Sequence, residues 1–167
     1  MLDVNSDIRK CLVESAFATY SNSEMGDIVA SGKIEYKGKV TKEFVQRALW
    51  NDQSTWYVIE DPWGNIEAAI TAVEVDGSLL IEEFMSLKKG AGSELLLHVL
   101  SFDYNMIYLF ADWSQKDSLL DYYRDEKFGL EEKVMYNSKN HDTHYFFKNK
   151  KLSPDQLEKF INKNFVV

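Results

Sequence analysis

The sequence predicts an α/β domain in which a mixed, mostly antiparallel central sheet of six to seven strands is flanked by helices. Three observations support this prediction. Runs rich in β-branched and aromatic residues at 55–60, 68–75 and 79–87 are separated by turn residues and predict an antiparallel meander. The third run is followed by a glycine-containing loop and then by a segment whose apolar residues recur at helical spacing. The short apolar run at 106–111 then has the character of a buried parallel strand.

The elements before the meander follow from spacing and capping residues. Apolar positions within 7–20 recur at helical spacing and predict a first amphipathic helix behind a Ser6 cap. Thr41 is expected to cap a second helix that ends near Asn51. Between these helices, several glycines interrupt short apolar pieces, and a strand is predicted at 33–36.

The elements after the buried strand complete an α/β arrangement. Apolar residues at helical spacing predict a helix through 119–123, and closing antiparallel strands are predicted at 134–136 and 143–147. A capping box at 153–156, with proline at the first helical position, predicts the start of a last helix.

The composition predicts one domain over residues 1–167. Hydrophobic residues form 45% of the chain, enough to build a core, and no repeat or low-complexity tract divides it. No apolar run reaches the roughly 20 residues of a membrane span, and the first residues lack a basic segment followed by an apolar one. These features predict a cytoplasmic protein without a membrane segment.

The charge balance restricts the class of partner. Acidic side chains outnumber basic ones, 27 to 19, and the formal net charge is −8. This charge argues against direct binding to nucleic acid, because Lys and Arg drive contact with phosphate backbones. It would attract a cation, such as an amine substrate or a basic protein surface. A solvated acidic surface that aids solubility is the alternative interpretation.

Cysteine and histidine usage predicts neither a disulfide nor a metal site. Cys11 has no second cysteine to pair with and is expected to lie on a buried helical face. His141 and His144 are three residues apart in an extended segment, which places them on opposite faces. His98 is expected to be a packing residue of the helix after the glycine loop.

The segment with the clearest chemical meaning is the loop between the third strand of the meander and the next helix. Glycines allow close approach of a ligand to the backbone, and free N–H groups at a helix N-terminus suit a pyrophosphate. A plain strand-to-helix turn is the alternative. The residues predicted to bind a phosphorylated co-substrate are Leu87, Lys88, Lys89, Gly90, Ala91, Gly92 and Ser93.

The order of these features resembles the Gly-loop N-acetyltransferase (GNAT) superfamily. Members place a Gln/Arg-x-x-Gly-x-Gly/Ala loop after their fourth strand, where it binds the pyrophosphate of acetyl-coenzyme A, and residues 87–92 match this loop. Residues 107–112 and 119–130 resemble the family's next strand, helix and Phe-Tyr-x-x-x-Gly-Phe ending, and residues 56–69 resemble its second and third strands. The resemblance covers roughly residues 40–148.

The resemblance implies transfer of an acetyl group from acetyl-coenzyme A to a primary amine of a small molecule or protein. A carboxylate base would be Glu82 or Glu83, which point to opposite faces of a strand, so that at most one faces the cleft. Tyr123 is the candidate acid for the departing thiolate, with Tyr122 as its register alternative. Alternatively, both glutamates are solvated or paired charges, and both tyrosines are aromatic residues of the core.

Two departures from the family pattern favour a second hypothesis. Leu87 stands where the family has Gln or Arg, and the interval from Tyr123 to Gly129 is two residues longer than the common form. Together with the acidic surface, they indicate a catalytically idle GNAT-fold binding protein. The Asn-, Lys- and aromatic-rich composition resembles that of bacteriophage proteins that bind a host protein such as RNA polymerase.

Overall fold

The computed structural model of the chain describes residues 14–112, 117–136 and 142–166. Its strands are β1 (Ala16–Ser21), β2 (Thr55–Glu60), β3 (Ile66–Val75), β4 (Ser78–Ser86), β5 (Met106–Asp112), β6 (Glu131–Met135) and β7 (Thr143–Asn149). Its helices are α1 (Asn22–Ala30), α2 (Lys42–Ala48), α3 (Ala91–Leu100), α4 (Asp117–Tyr123) and α5 (Pro154–Asn164), with a 3-10 turn at Glu126–Phe128. Within the described residues, the seven strands form a sheet in the order β1-β2-β3-β4-β5-β7-β6.

The chain divides into two compact units, and the first comprises the described residues up to Ala72 together with Glu83–Val99. In this unit β1 pairs antiparallel with β2 over six residues, and β2 pairs antiparallel with β3. Side chains from α1, α2, β2, β3 and the end of β4 form one apolar cluster. This cluster excludes water from this part of the sheet. Its members include Met25, Val29, Val45, Trp56, Val58, Ala69, Met85 and Leu87.

Side-chain caps explain where α1 and α2 begin. Ser21, the last residue of β1, accepts the N–H of Glu24 at 3.1 Å, and the Glu24 carboxylate accepts the N–H of Ser21 at 2.9 Å. This capping box starts α1 directly after the strand. The hydroxyl of Thr41 accepts the N–H of Phe44 at 3.1 Å, so the predicted cap of the second helix is confirmed.

The second unit comprises Val73–Glu82 and the described residues from Leu100 onward. The turn that opens β4 has positive φ at Asp76 and Gly77, 50° and 77°, as in the type I′ turn of a tight hairpin. β4 and β5 are parallel, with Leu79 opposite Ile107. β7 lies between β5 and β6 and is antiparallel to both.

Aromatic side chains fill the core of the second unit beneath α5. The rings of Tyr145 and Phe165 stack at 4.0 Å, and Tyr108 meets Phe160 edge to face at 5.4 Å. α5 begins with the predicted capping box, in which the hydroxyl of Ser153 accepts the N–H of Gln156. The edge-to-face pair adds to the free energy of burial because the edge of one ring and the face of the other carry opposite partial charges.

Most predicted elements are confirmed, and two are wrong. The meander, the parallel strand, the closing strand at 143–147 and the last helix lie where the spacing predicts them, whereas β6 begins three residues before the predicted strand at 134–136. The predicted helix over 7–20 is wrong at 16–20, which belong to β1, and the predicted strand at 33–36 is wrong because these residues form no strand. Cys11, Ser6 and His141 lie outside those residues, and the single domain remains a prediction.

The described residues contain neither a candidate membrane-spanning helix nor a candidate metal-binding cluster. No helix there has both the length and the apolar character needed to cross a bilayer. Within the same residues, no group of three or more His, Cys, Asp or Glu side chains is arranged to hold a metal ion.

Candidate functional site

The loop between β4 and α3 occupies the place that the sequence assigns to phosphate binding. β4 ends at Ser86 and α3 begins at Ala91, so only four residues connect them. Gly90 has a φ of 86°, a backbone conformation that side chains with a Cβ rarely adopt. The reversal of the chain at Gly90 therefore explains the first glycine of the pair.

Much of the loop backbone is hydrogen-bonded within the chain. The N–H groups of Leu87 and Lys88 both donate to the carbonyl oxygen of Glu67, at 2.9 and 3.1 Å. The N–H of Ala91 donates to the carbonyl of Lys88 at 3.0 Å, and the N–H of Gly92 donates to the hydroxyl of Ser86 at 3.2 Å. These four amides are satisfied before any ligand binds.

The second glycine is explained by close packing. A Cβ added to Gly92 would lie 2.8 Å from the Cβ of Ser86 and 3.1 Å from the ring of Phe84. The hydroxyl of Ser86 also donates to the carbonyl of Lys88 at 3.1 Å, so this side chain bridges the two ends of the loop. Gly92 thus allows α3 to start directly against β4.

Two consecutive N–H groups at the tip of the loop have a different status. Within the described residues, the N–H groups of Lys89 and Gly90 have no acceptor. Consecutive backbone N–H groups in a turn are a common form of anion-binding site. The donors that this loop offers to a phosphate are therefore those of Lys89 and Gly90, and not those of its whole length.

Lys88 carries positive charge beside this turn. Its ammonium lies 2.9 Å from the Glu67 carboxylate, and this contact, through hydrogen bonding and opposite charge, raises the pKa of Lys88. A cavity of about 410 Å³ opens next to the pair and is also lined by Lys33, Lys37 and Asp61. The loop thus offers two N–H donors at its tip, and a cavity lined by several charged side chains lies beside it.

Leu87 has a structural role at the position where the family has Gln or Arg. Its side chain is only 5% exposed and belongs to the apolar cluster of the first unit, together with Met85. Because a Leu side chain has no polar group, it cannot contact a ligand by hydrogen bonding. Leu87 holds the end of β4 in the core.

The two candidate bases lie near the middle of β4. Glu82 is exposed, whereas Glu83 is half-buried and its N–H donates to the hydroxyl of Thr71 at 3.0 Å. Glu83 belongs to the first unit and Glu82 to the second. Their role as a base remains a prediction.

Tyr123, the candidate acid, is part of the aromatic packing of the second unit. Its side chain is 6% exposed, and its ring lies 5.3 Å from that of Phe146 and 5.4 Å from that of Tyr122. The ring of Tyr122 in turn lies 5.1 Å from that of Phe128. Both tyrosines thus have a packing role, and a proton-donating role remains a prediction.

A further carboxylate of the first unit is paired with a phenol. The Tyr20 hydroxyl donates to the Glu60 carboxylate, with oxygen distances of 2.8 and 2.7 Å, and this bond raises the pKa of Tyr20 to about 12. Because the folded state holds this proton more tightly, the bond stabilises the fold at neutral pH.

The Tyr20–Glu60 bond predicts a loss of stability at high pH. Its contribution should be complete below pH 10.0, the ordinary pKa of a tyrosine, and should disappear as the pH rises towards about 12. Urea unfolding at increasing pH should therefore show a steeper decline for the wild type than for Tyr20→Phe. Equal declines for the two proteins would contradict this prediction.

Solved structures of acetyltransferases share this architecture. A ribosomal-protein-S18-alanine N-acetyltransferase from Escherichia coli aligns with a TM-score of 0.57 and 13% identity, over 85% of this chain and 97% of that chain. A spermidine N-acetyltransferase from Vibrio cholerae aligns with a TM-score of 0.52 and 12% identity, over 81% and 94%. A GNAT-family acetyltransferase from Bacillus cereus aligns with a TM-score of 0.51 and 13% identity, over 84% and 99%. The chain has the GNAT fold.

The likeness to these acetyltransferases is one of fold. No protein-family model matches the chain, and no curated protein matches it either. At 12–13% identity the alignments concern the GNAT fold and not the residues of a site. The predicted fold class is therefore confirmed, and the roles of individual residues remain predictions.

Sequence patterns do not identify two residues outside this loop that hold it in place, Ser86 of β4 and Glu67 of β3. Ser86 bridges the loop ends, and Glu67 contacts both the backbone and a side chain of the loop. Glu67 follows Ile66 and precedes Ala68 in an otherwise apolar part of β3, and an acidic residue in such a run was the available indication. Its partner could not be predicted because Lys88 is 21 residues further along the chain.

Proposed function

We propose that this protein is an N-acyltransferase that moves an acetyl group from acetyl-coenzyme A to a primary amine. The proposal is carried by one observation: the consecutive N–H groups of Lys89 and Gly90 have no acceptor within the described residues. They occur at the loop after β4 of a GNAT fold. Donors of this kind, beside the charges of Lys88 and Lys89, fit the pyrophosphate of a coenzyme.

The proposed mechanism is direct attack of the amine on the thioester, with no covalent intermediate on the protein. Bound acetyl-coenzyme A supplies the activated acetyl group. In the proposal, the carboxylate of Glu82 or Glu83 takes the proton that the amine must lose, so that a C–N bond forms as the C–S bond breaks. The hydroxyl of Tyr123 donates a proton to the departing sulfur, and the proton taken up by the glutamate then returns to the tyrosinate through solvent. A cationic amine first releases one proton to solvent, so the overall products are the amide, the free thiol and one H⁺.

The acceptor is proposed to be a cationic amine. The net charge of −8 would favour the approach of such a substrate over an anionic one. The aligned enzymes from Vibrio cholerae and Escherichia coli are named for spermidine and for an alanine of a ribosomal protein. Spermidine and a peptide with N-terminal alanine are therefore the first acceptors to test.

Addition of acetyl-coenzyme A should raise the melting temperature. At about 100 times the dissociation constant, a ligand of the folded state adds about 2.7 kcal/mol, which corresponds to a rise of about 5 °C or more. Differential scanning fluorimetry with acetyl-coenzyme A measures this rise, and ADP serves as a control for nucleotide alone. Release of free thiol in the presence of each acceptor then measures transfer.

No rise in melting temperature at millimolar acetyl-coenzyme A would count against the proposal. A rise without thiol release for any amine would favour a second candidate, a protein that binds a ligand or a host protein without acyl transfer. The observation behind this second candidate is that the amides of Leu87, Lys88, Ala91 and Gly92 already have acceptors within the chain. A loop of this kind offers fewer donors to a coenzyme than its length suggests.

A further inference from the structure

Glu67 has an unusual set of contacts for an acidic residue of β3. Its side chain is 12% exposed, and both neighbours in the strand, Ile66 and Ala68, are buried. The hydroxyl of Ser15 donates to one oxygen of its carboxylate. The ammonium of Lys88 lies 2.9 Å from the other oxygen. A carboxylate this shielded from water requires such partners, because an unpaired buried charge is costly.

The main chain of Glu67 holds the same loop. Its carbonyl oxygen accepts the N–H groups of Leu87 and Lys88. Lys88 is therefore bound to Glu67 both through its backbone and through its ammonium, although the Lys88 side chain remains 65% exposed. Glu67 thus fixes the start of the loop through its carbonyl oxygen and holds the Lys88 ammonium through its carboxylate.

We propose that Glu67 is a positioning residue for Lys88, and that a phosphorylated ligand at the loop must compete with the Glu67 carboxylate for the Lys88 ammonium. This inference rests on the proposed coenzyme-binding function. An exposed lysine can turn towards a phosphate because its charge is a compact group on a flexible stem. A phosphate that draws Lys88 away leaves the Glu67 carboxylate without its cation, which opposes binding.

The variant Glu67→Gln tests the competition directly. Glutamine keeps the length of the side chain, an oxygen that can accept from Ser15, and the backbone carbonyl, but it removes the charge. The dissociation constant of acetyl-coenzyme A, measured by isothermal titration calorimetry at fixed ionic strength, should fall about threefold to fivefold when this partly exposed ion pair no longer competes.

Glu74→Gln is the matched control for the change in net charge. Glu74 lies on the same strand and accepts a hydrogen bond from the hydroxyl of Tyr104, so its variant also replaces one hydrogen-bonded carboxylate. Its dissociation constant should stay at the wild-type value. A Glu67→Gln protein that binds no more tightly than Glu74→Gln overturns the competition, whereas no binding to any of the three proteins overturns the proposed function as well.

A measurement on the wild type covers the case in which Glu67→Gln does not fold. Acetic anhydride modifies the neutral amine, and the ion pair keeps Lys88 protonated because it raises the pKa of that side chain. Mass spectrometry should therefore find slower modification of Lys88 than of the adjacent Lys89. Equal rates for the two lysines would overturn the positioning role, whether or not acetyl-coenzyme A binds.

Discussion

Replacement of Tyr123 by phenylalanine should lower kcat about 100-fold if its hydroxyl is the general acid, since positioned proton donors contribute at least this much. The variant keeps the ring and therefore its contacts with Phe146 and Tyr122. Loss of a buried hydroxyl costs stability of about 1 kcal/mol, so the protein should remain folded. Steady-state thiol release, combined with a urea unfolding curve, separates the catalytic effect from the structural one.

Tyr122→Phe is the control for the Tyr123 prediction. Tyr122 is half-buried on the same helix, and its ring also packs in the aromatic cluster, against Phe128. If the sequence register is correct, kcat should fall for Tyr123→Phe only. A fall for Tyr122→Phe alone would assign the acid to the neighbouring residue, and unchanged kcat in both variants would make both tyrosines packing residues.

Replacement of Gly92 by alanine should destabilise the first unit by about 1–3 kcal/mol, the usual cost of an added methyl in a packed site. The new Cβ would lie 2.8 Å from the Cβ of Ser86 and 3.1 Å from the ring of Phe84. Relief of this clash requires movement of α3 or of β4, which would also break the bond from the Gly92 N–H to the Ser86 hydroxyl. We therefore expect weaker acetyl-coenzyme A binding together with a lower unfolding midpoint.

A glycine of another helix provides the matched control. Gly26 lies inside α1, and an added Cβ would have no atom within 4 Å. Gly26→Ala should therefore stabilise the protein by about 0.5–1 kcal/mol, because alanine loses less backbone entropy in a helix. Urea unfolding of the two variants should thus shift in opposite directions. Equal stability of Gly92→Ala and wild type would show that the contact with Ser86 is not restrictive.

The sequence predicts the fold well where local patterns suffice. The capping box at Ser153 and the turn residues around Asp76 are local features, and both elements lie where they are expected. The helix prediction fails at β1 because Ala16 and Phe17 continue an apolar spacing of helical period. Its strand conformation depends on pairing with β2 about 40 residues away, which a local pattern does not contain.

The sequence predicts the position of the glycine loop but not its hydrogen bonds. Glycine spacing located the loop, because positive φ at Gly90 and close packing at Gly92 both require glycine. Which amides are available to a ligand depends on acceptors elsewhere, on Ser86 and on Glu67. Glu67 reaches the loop only through the sheet, so its contribution requires the tertiary structure.

The bridge made by Ser86 also concerns how such a loop can change over evolution. The shape of the turn depends on main-chain groups and one hydroxyl, and the side chains of Lys88 and Lys89 contribute no hydrogen bond to the loop backbone within the described residues. Lys89 can therefore be replaced by a residue of different charge without refolding the turn, whereas replacement of Lys88 would leave the Glu67 carboxylate without its cation. The electrostatic preference of the loop is separable from its architecture, and new ligand chemistry is accessible through substitutions at the tip alone.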